Sequence, residues 1–458
     1  MTSSPITAEL LVSGAVGISE VIADGADVYW AESRPGEGGR AAIMSWSEHR
    51  DGPRIDEVTG PEVNVRTRVH EYGGGAWWVE AGRLVFSDDA RGGELFLLEV
   101  NSGHLTQLTS GGYRYADGRF SPDGHWFVAI RERHDGPDES PVVNEVVAIG
   151  VDGQGTELVL ASSHDFYSTP RFGLGGQLVC IGWNNPNMPW DSTELLLIEP
   201  DWLDGDPGPT VRVLFSSPDE PESIVLPGWT RDGRLLVVSD RTNWWNLFEV
   251  DIGNGAMTPV VEGEFEIATP GWVFGLSRWC EVEDGVVVVA GTPRGDTVGF
   301  PSGFVEDRHT SVSSIRALAD GRVVYVGASY HEEAAIWVHN GVEATQISRS
   351  RDLGLTSDCF LNQSSLPSIP RRSTRRCNPA QRHTRCSSHP PSQAGRPCQE
   401  SLRCSSWSTV AQPLPPVVSS IFRSVIGQAA GLPLLRWTIE VRRCTDATIA
   451  ASSGDNGV

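Results

Sequence analysis

Two polar stretches of this chain have the residue types and spacing to contact a ligand. The first is His70-Glu71-Tyr72, which stands directly before three glycines at positions 73–75. An imidazole and a carboxylate can exchange protons with a bound molecule, and consecutive glycines let the backbone come close to a substrate or to another domain. The alternative is a turn in which His70 is hydrogen-bonded only within the fold. The sequence leaves both interpretations open.

The second stretch runs from Trp183 to Asp191 and reads W-N-N-P-N-M-P-W-D. Aromatic and amide side chains in a proline-rich loop are suited to shaping a cavity or a domain interface. The alternative is a packed loop at the edge of a sheet. The residues that we predict to face a substrate or an interface are His70, Glu71, Tyr72, Trp183, Asn187, Trp190 and Asp191.

Serine, histidine and aspartate are abundant, but no G-x-S-x-G nucleophile elbow occurs anywhere in the sequence. No His-Gly-Gly-type segment is present either, so no oxyanion hole can be assigned. Acidic runs such as residues 219–222 are typical of solvated loops rather than of metal sites. We therefore predict no catalytic residue, no metal ligand and no cofactor.

Chemistry-bearing residues also collect after position 358, where the composition changes. Residues 1–358 carry 55 acidic and 24 basic residues, a formal charge of −31, whereas residues 359–458 carry 4 acidic and 12 basic residues, a charge of +8. Most cysteines lie in this second part. The possible metal ligands are Cys377, His383, Cys386, His389, Cys398 and Cys404. Their irregular separations argue against a metal module.

Two other interpretations of the second part remain. The basic run at residues 371–376 is compatible with a disordered arm that contacts acidic surfaces. An excess of Arg, Ser, Pro and Cys is also what a shifted reading frame of GC-rich DNA encodes, and the whole chain contains no lysine. We favour the out-of-frame interpretation and expect residues 356–458 to be poorly ordered.

The elements that position the polar stretches are short strands. Runs of four to eight residues alternate in polarity and are bounded by Gly, Asp and Pro. A turn of the Asp-Gly type recurs about every 49 residues, a period typical of propeller blades. The seven copies are Asp24-Gly25, Ala81-Gly82, Asp123-Gly124, Gly175-Gly176, Asp232-Gly233, Asp284-Gly285 and Asp320-Gly321. They predict an all-β, seven-bladed β-propeller over residues 1–355; a β-sandwich pair with similar turns is the alternative.

Composition limits the partners of this propeller. The net charge of −23 excludes nucleic acid as a partner of the main body, because phosphates would be repelled. No run of about 18 apolar residues is present to span a membrane, and no basic stretch precedes an apolar run near the start. Only Cys180 and Cys280 precede position 359, which indicates a reducing compartment. We expect a cytoplasmic location without membrane or nucleic-acid contact.

Four stretches go beyond the general pattern of a propeller. They are V-H-E-Y-G-G-G-A at 69–76, R-Y-A-D-G-R-F-S-P-D-G at 114–124, W-N-N-P-N-M-P-W-D at 183–191 and S-D-R-T-N-W-W-N-L at 239–247. Together they resemble the N-terminal propeller of bacterial prolyl oligopeptidase family serine peptidases, in the dipeptidyl aminopeptidase and acylaminoacyl-peptidase branch. The resemblance covers about residues 10–355.

The resemblance implies a function, and it also implies an α/β-hydrolase domain that this sequence does not show. In that family the propeller is a lid that admits short peptides to an α/β-hydrolase domain, which follows it and carries the catalytic Ser, Asp and His. Residues 356–458 contain no such motif. We therefore expect a propeller whose partners are short peptides or a hydrolase domain, and a chain without peptidase activity. A face left uncovered would favour self-association.

Two alternatives belong to other functional classes. A stand-alone propeller would bind a peptide or a protein at its tunnel or rim, and a metal-using propeller enzyme would need inward-facing ligands from several blades. The coding DNA beyond codon 355 discriminates the first of these from a peptidase fragment. A second frame that encodes a G-x-S-x-G would favour the fragment.

Overall fold

The computed structural model describes residues 16–134, 142–204, 208–217, 219–305, 309–330 and 332–350. These residues form seven antiparallel sheets of four strands, and in every sheet the four strands follow one another along the chain. The sheets are the blades of a β-propeller. The predicted all-β fold with seven blades is therefore confirmed. The predicted end at residue 355 and all predictions for residues 356–458 lie outside the described residues.

The strands follow the period read from the sequence. Blades 1 to 4 comprise β1 (Gly17–Asp24), β2 (Asp27–Arg34), β3 (Arg40–His49), β4 (Gly52–Glu57), β5 (Trp77–Glu80), β6 (Arg83–Asp88), β7 (Glu94–Glu99), β8 (His104–Gln107), β9 (Arg114–Phe120), β10 (Trp126–Arg133), β11 (Val143–Gly150), β12 (Glu157–Ala161), β13 (Phe166–Phe172), β14 (Leu178–Trp183), β15 (Glu194–Ile198) and β16 (Val211–Phe215). Blades 5 to 7 comprise β17 (Ile224–Trp229), β18 (Leu235–Ser239), β19 (Asn246–Val250), β20 (Met257–Val261), β21 (Trp279–Val282), β22 (Gly285–Thr292), β23 (Gly295–Phe300), β24 (Gly303–Phe304), β25 (Ser311–Ala317), β26 (Val323–Ala328), β27 (Ala335–His339) and β28 (Ala344–Arg349). Short 3-10 helices occupy Pro35–Glu37, Asp89–Arg91 and Pro200–Asp204.

Each of the seven predicted turns joins the first strand of a blade to the second. Residues at these turns take up left-handed backbone conformations; φ is +64° at Gly25 and +84° at Gly321, for example. Glycine adopts such angles without a steric penalty, which is why the turn chemistry marks the blades in the sequence.

The first strand of each blade lines the axis of the ring, because first strands of neighbouring blades contact one another. Fourth strands such as β4 and β20 are largely exposed and form the rim. Five of the first strands contain a bulge with a left-handed residue: Glu20, Asp117, Thr169, Leu226 and Ser314. The bulges change the direction of the inner strands at the axis.

The core consists of apolar clusters between neighbouring blades. One such cluster closes the ring. Trp30 and Trp46 of blade 1 pack there against Leu318, Val324 and Ile336 of blade 7. Among the described strands, none of blade 7 is hydrogen-bonded within a sheet to one of blade 1. A backbone bond from Ala319 N to Gly25 O (2.9 Å) joins the two turns. Side-chain packing therefore holds the first and last blades together.

The part of the chain that the structure describes contains no helix long and apolar enough to cross a membrane.

Candidate functional site

Two connecting segments, each directly before an inner strand, meet across the axis of the propeller and narrow the tunnel at one end. The backbone that leads into β5 of blade 2 pairs with the backbone that leads into β21 of blade 6 through a parallel bridge between Gly74 and Phe274. Phe274 N donates to Gly73 O at 2.9 Å. Blades 2 and 6 are not neighbours in a ring of seven. The bridge therefore obstructs the tunnel at the end where the first strands begin.

The three glycines at 73–75 serve this close approach. A Cβ at Gly73 would lie 2.3 Å from Thr67 O, and one at Gly74 would lie 2.5 Å from Phe274 O. Gly75 N donates to Glu20 Oε1 (3.0 Å), and Gly75 O accepts from Asp117 N (2.7 Å). The backbone around these glycines is thus packed against other inner strands of the same propeller.

His70 lies beside the bridge and is largely enclosed by aromatic rings. Its imidazole packs edge-on against Phe166 and Trp183, at centroid distances of 5.1 and 5.6 Å, and at 4.8 Å from Phe274. Burial lowers the pKa of His70 to about 4, and the nearby Glu132 carboxylate opposes this shift only in part. His70 is therefore neutral near pH 7. It borders a small cavity of about 40 Å³.

Glu71, next along the chain, belongs to a group of charged side chains. Arg114 Nη1 donates to Glu71 Oε1 and to Glu132 Oε1, both at 2.8 Å, and His134 Nε2 lies 2.6 Å from Glu132 Oε1. Glu71, Glu132 and His134 are the one group among the described residues whose possible metal-ligating atoms lie within 4.8 Å of one another. The Arg114 guanidinium is hydrogen-bonded to both carboxylates, so this arrangement is that of an ion-pair network.

An exposed apolar surface stands on the same end of the propeller. Trp272 is 44% exposed; its ring lies 5.2 Å from the ring of Tyr72 and 4.5 Å from that of Trp190. Met188 and Val273 are exposed beside them. We call these five residues the aromatic patch. They come from three separate connections, so only the folded propeller brings them together.

The loop at 184–191 is held by its own hydrogen bonds. Asp191 Oδ2 accepts from Met188 N (3.0 Å), and Asn187 N donates to Asn184 O (3.0 Å). Pro189 O accepts from the buried Ser223 hydroxyl at 2.7 Å. Asn187 and Asp191 are exposed. Both side chains are therefore accessible to a substrate or to another domain. Their contact with either one stays a prediction.

Trp183, one of the seven residues that the sequence predicts to face a substrate or an interface, belongs to a strand rather than to the proline-rich loop. It is the last residue of β14, is only 7% exposed and borders the same small cavity as His70. Its ring stacks on Phe166 with centroids 5.4 Å apart. The proline-rich sequence concealed that the strand continues through Trp183 before the loop begins. Trp183 packs against the His70 imidazole from the interior of the propeller. It is not part of the aromatic patch.

The opposite end of the tunnel opens into a cavity of about 530 Å³ at the ends of the inner strands. Five arginines and one glutamate, Glu80, line it. Arg231 and Arg278 lie beside the carboxylates of Glu281 and Asp296, at 4.0 and 2.9 Å. The other three stand near the ends of inner strands: Arg119 of β9, Arg171 of β13 and Arg316 of β25. Trp78 packs under two of them, with the guanidinium carbons of Arg119 and Arg316 lying 3.4 and 5.9 Å from its ring centroid. Cation–π contact of this kind orients the guanidinium groups.

One fully buried carboxylate stands among these arginines. Asp117 Oδ1 accepts from Arg171 Nη2 at 3.0 Å and lies 3.6 Å from Arg119 Nη1. Its other oxygen accepts from Thr169 N at 2.9 Å. Glu20 is the nearby second carboxyl. Burial raises the pKa of Glu20 to about 7, despite the hydrogen bond from Gly75 N. Among the groups at the cavity, the three guanidinium groups of Arg119, Arg171 and Arg316 face the carboxylates of Asp117 and Glu80.

Solved structures of two peptide hydrolases are similar to this propeller. A puromycin-hydrolyzing peptidase of Mycobacterium tuberculosis superposes with a TM-score of 0.67 at 26% identity, over 76% of this chain and 56% of that chain. A puromycin hydrolase superposes with the same TM-score at 30% identity and the same coverages. The propeller of this chain is thus similar to the propeller of these two puromycin-hydrolyzing enzymes.

The structural matches confirm the resemblance carried by the four sequence stretches. The β-propeller domain of the Trilobed protease of Pyrococcus furiosus, whose described topology is open velcro, matches at a TM-score of 0.51 and 10% identity over 74% of this chain and 99% of that chain, which shows the shared fold alone. No family model and no curated protein matches the sequence. The chain spans just over half the length of the two hydrolases.

The sequence did not indicate Trp272 or the arginine-lined cavity. Trp272 carries no motif, because its role depends on contact with Tyr72 and Trp190. The arginines do leave a signal. Arg119, Arg171 and Arg316 each stand five residues before the turn glycine of their blade.

Proposed function

We propose that this propeller is the gating domain of a peptide hydrolase of the prolyl oligopeptidase type and docks an α/β-hydrolase domain on its aromatic patch. The observation that carries this proposal is the 30% identity to a puromycin hydrolase over three quarters of this chain and about half of that one. The remaining half of such a protein needs a surface on the propeller. An exposed group of aromatic side chains at one end is suited to that contact.

The position of the patch supports the same arrangement. Tyr72 and Trp272 stand beside the Gly74–Phe274 bridge that obstructs the tunnel. A hydrolase domain seated there would be separated from the wider cavity by the bridge. Short peptides would then reach it along the interface, past Asn187 and Asp191, and the closely packed interface would exclude larger chains. The seven residues predicted from the sequence would stand at or directly behind this contact.

The chain as it stands is expected to lack peptidase activity, because no G-x-S-x-G elbow occurs in it. The purified chain should not react with a fluorophosphonate probe and should not split an aminoacyl-nitroanilide. A puromycin hydrolase serves as the positive control. Stoichiometric labelling of this chain would contradict the expectation, since it would require an activated serine.

The aromatic patch predicts self-association of the purified chain. The Trp272→Ser variant should weaken that association roughly tenfold, since a central tryptophan commonly contributes more than 1.4 kcal/mol to an interface. It should also lower the binding of a hydrophobic dye. Light scattering over a concentration series and dye fluorescence measure the two effects.

The matched control is Phe304→Ser, because Phe304 is 51% exposed on β24, away from the patch. This variant should behave as the unaltered chain. A monodisperse monomer without dye binding would count against docking at the patch, as would an equal effect of the two substitutions.

A further inference from the structure

The arginine-lined cavity concentrates positively charged side chains in a protein whose net charge is negative. The chain carries a formal charge of −23, yet Arg119, Arg171 and Arg316 converge on one cavity. The side chains of Arg119 and Arg171 are only 11% and 16% exposed. Like charges held close together with little water repel each other, so such a group is unfavourable unless an anion joins it.

One structural device places all three arginines. In blades 3, 4 and 7 the bulge residue of the inner strand is followed two positions later by the arginine. Each arginine then donates through Nη1 to the carbonyl oxygen of the residue before it, at 2.6 Å for Arg119, 2.7 Å for Arg171 and 3.0 Å for Arg316. This local bond fixes the position of each arginine side chain. The remaining N–H donors of its guanidinium group are then available to the cavity.

The acceptors within reach are fewer than the donors. Asp117 is the fully buried carboxylate at the site and is engaged by Arg171 and Thr169. Glu80 also lines the cavity and accepts from Trp78 Nε1 at 3.2 Å. The Nε atom of Arg316 is buried and has no hydrogen-bond partner within the described part of the chain. An unsatisfied donor on a buried charge is costly. Burial and the neighbouring Arg171 lower the pKa of Arg316 to about 10, so the guanidinium remains charged near pH 7.

The walls of the cavity are suited to more than a bare ion. Leu226, Trp229 and Trp279 line it opposite the arginines. Trp229 and Trp279 are fixed by bonds from their indole nitrogens to Arg171 O (3.1 Å) and Leu226 O (3.0 Å). A volume of about 530 Å³ lies in the range of small-molecule sites. Apolar walls with a cationic end fit an organic anion whose charge is at one terminus.

We propose that this cavity binds the free carboxylate end of a short peptide. Arg316 and Arg119 would hold the carboxylate oxygens in charge-assisted hydrogen bonds, and the apolar wall would contact the last side chains. Asp117 would remain bound to Arg171 and keep the third guanidinium in place. That the ligand is a peptide rests on the proposed function; that it is a carboxylate rests on the arginines alone.

Calorimetric titration of the full chain tests the proposal without hydrolysis. The probes are N-acetyl-Leu-Ala with a free carboxylate, the same dipeptide as its amide, and inorganic phosphate. The acid should bind at least tenfold more tightly than the amide and than phosphate. Arg316→Gln should weaken binding of the acid at least tenfold, and Arg316→Lys should restore part of the loss because it keeps the charge.

The control variant is Arg54→Gln, since Arg54 is an exposed arginine paired with Asp56 on β4, the outer strand of blade 1. It should bind the acid as the unaltered chain does, and circular dichroism should show that all variants are folded. Equal binding of acid and amide, unchanged binding by Arg316→Gln, or binding of phosphate as tight as that of the acid would each overturn the proposal. The dye and light-scattering measurements test docking at the aromatic patch, at the opposite end of the propeller. Failure of the docking proposal can therefore be distinguished from failure of carboxylate binding.

Discussion

Replacement of Trp30 by alanine is expected to lower the free energy of unfolding by about 3–5 kcal/mol, the range for truncating a large buried aromatic side chain. Trp30 has no exposed surface and packs in the cluster between blades 1 and 7. Because each blade is made of four consecutive strands, no shared sheet can compensate at this junction. The loss should therefore appear first as separation of the first and last blades.

Equilibrium denaturation and hydrogen exchange measure this effect. The matched variant is Trp337→Ala, since Trp337 is 3% exposed and packs between blades 6 and 7, which the chain itself connects. Both variants should lose similar global stability. Only Trp30→Ala should raise the exchange of amides in β1 and β25 well before global unfolding. Equal protection of these strands in the two variants would show that the ring does not depend on this packing.

A methyl group at Gly74 should destabilise the propeller by about 3 kcal/mol or more. Its φ of +87° disfavours any L side chain by roughly 1–2 kcal/mol. In addition, the new Cβ would lie 2.5 Å from Phe274 O and 2.9 Å from Phe274 N. Backbone atoms cannot rotate away, so the Gly74–Phe274 bridge must separate. Gly74→Ala should therefore both destabilise the fold and open the obstructed end of the tunnel.

Gly233 provides a closely matched control. Its φ is +86°, and a Cβ there would have no neighbour within 4 Å. Gly233→Ala should show only the conformational cost of about 1–2 kcal/mol, and the difference between the two variants isolates the contact with Phe274. Urea denaturation gives both values. Equal destabilisation would mean that the bridge contributes nothing.

The blade count and the blade boundaries were predictable because hairpin turns are local. Asp232-Gly233 and Asp320-Gly321 mark the same hairpin in two blades, and the positive φ of a turn residue is imposed by its neighbours in sequence. Seven such signals, on average about 49 residues apart, therefore predict seven blades. Strand ends were less certain, as Trp183 shows, because a strand continues for as long as its partner strand does.

The site was predictable only in part. His70 and the three glycines stood out by type and spacing, and the structure places them at the axis. What the glycines approach was not predictable, since Phe274 lies two hundred residues further along the chain. Trp272 was missed for the same reason. Trp272 belongs to the aromatic patch only because Tyr72 and Trp190, from two other connections, lie against it.

The sequence by itself determined the seven-bladed architecture, the family resemblance and the absence of a nucleophile elbow, because each depends on short-range patterns or on motif letters. Only the tertiary structure decided that the tunnel is obstructed at Gly74 and Phe274, that Trp183 is buried, and that Arg119, Arg171 and Arg316 share one cavity. Ring closure brings the inner strands of distant blades to one axis. Contacts made at that axis have no fixed separation along the chain.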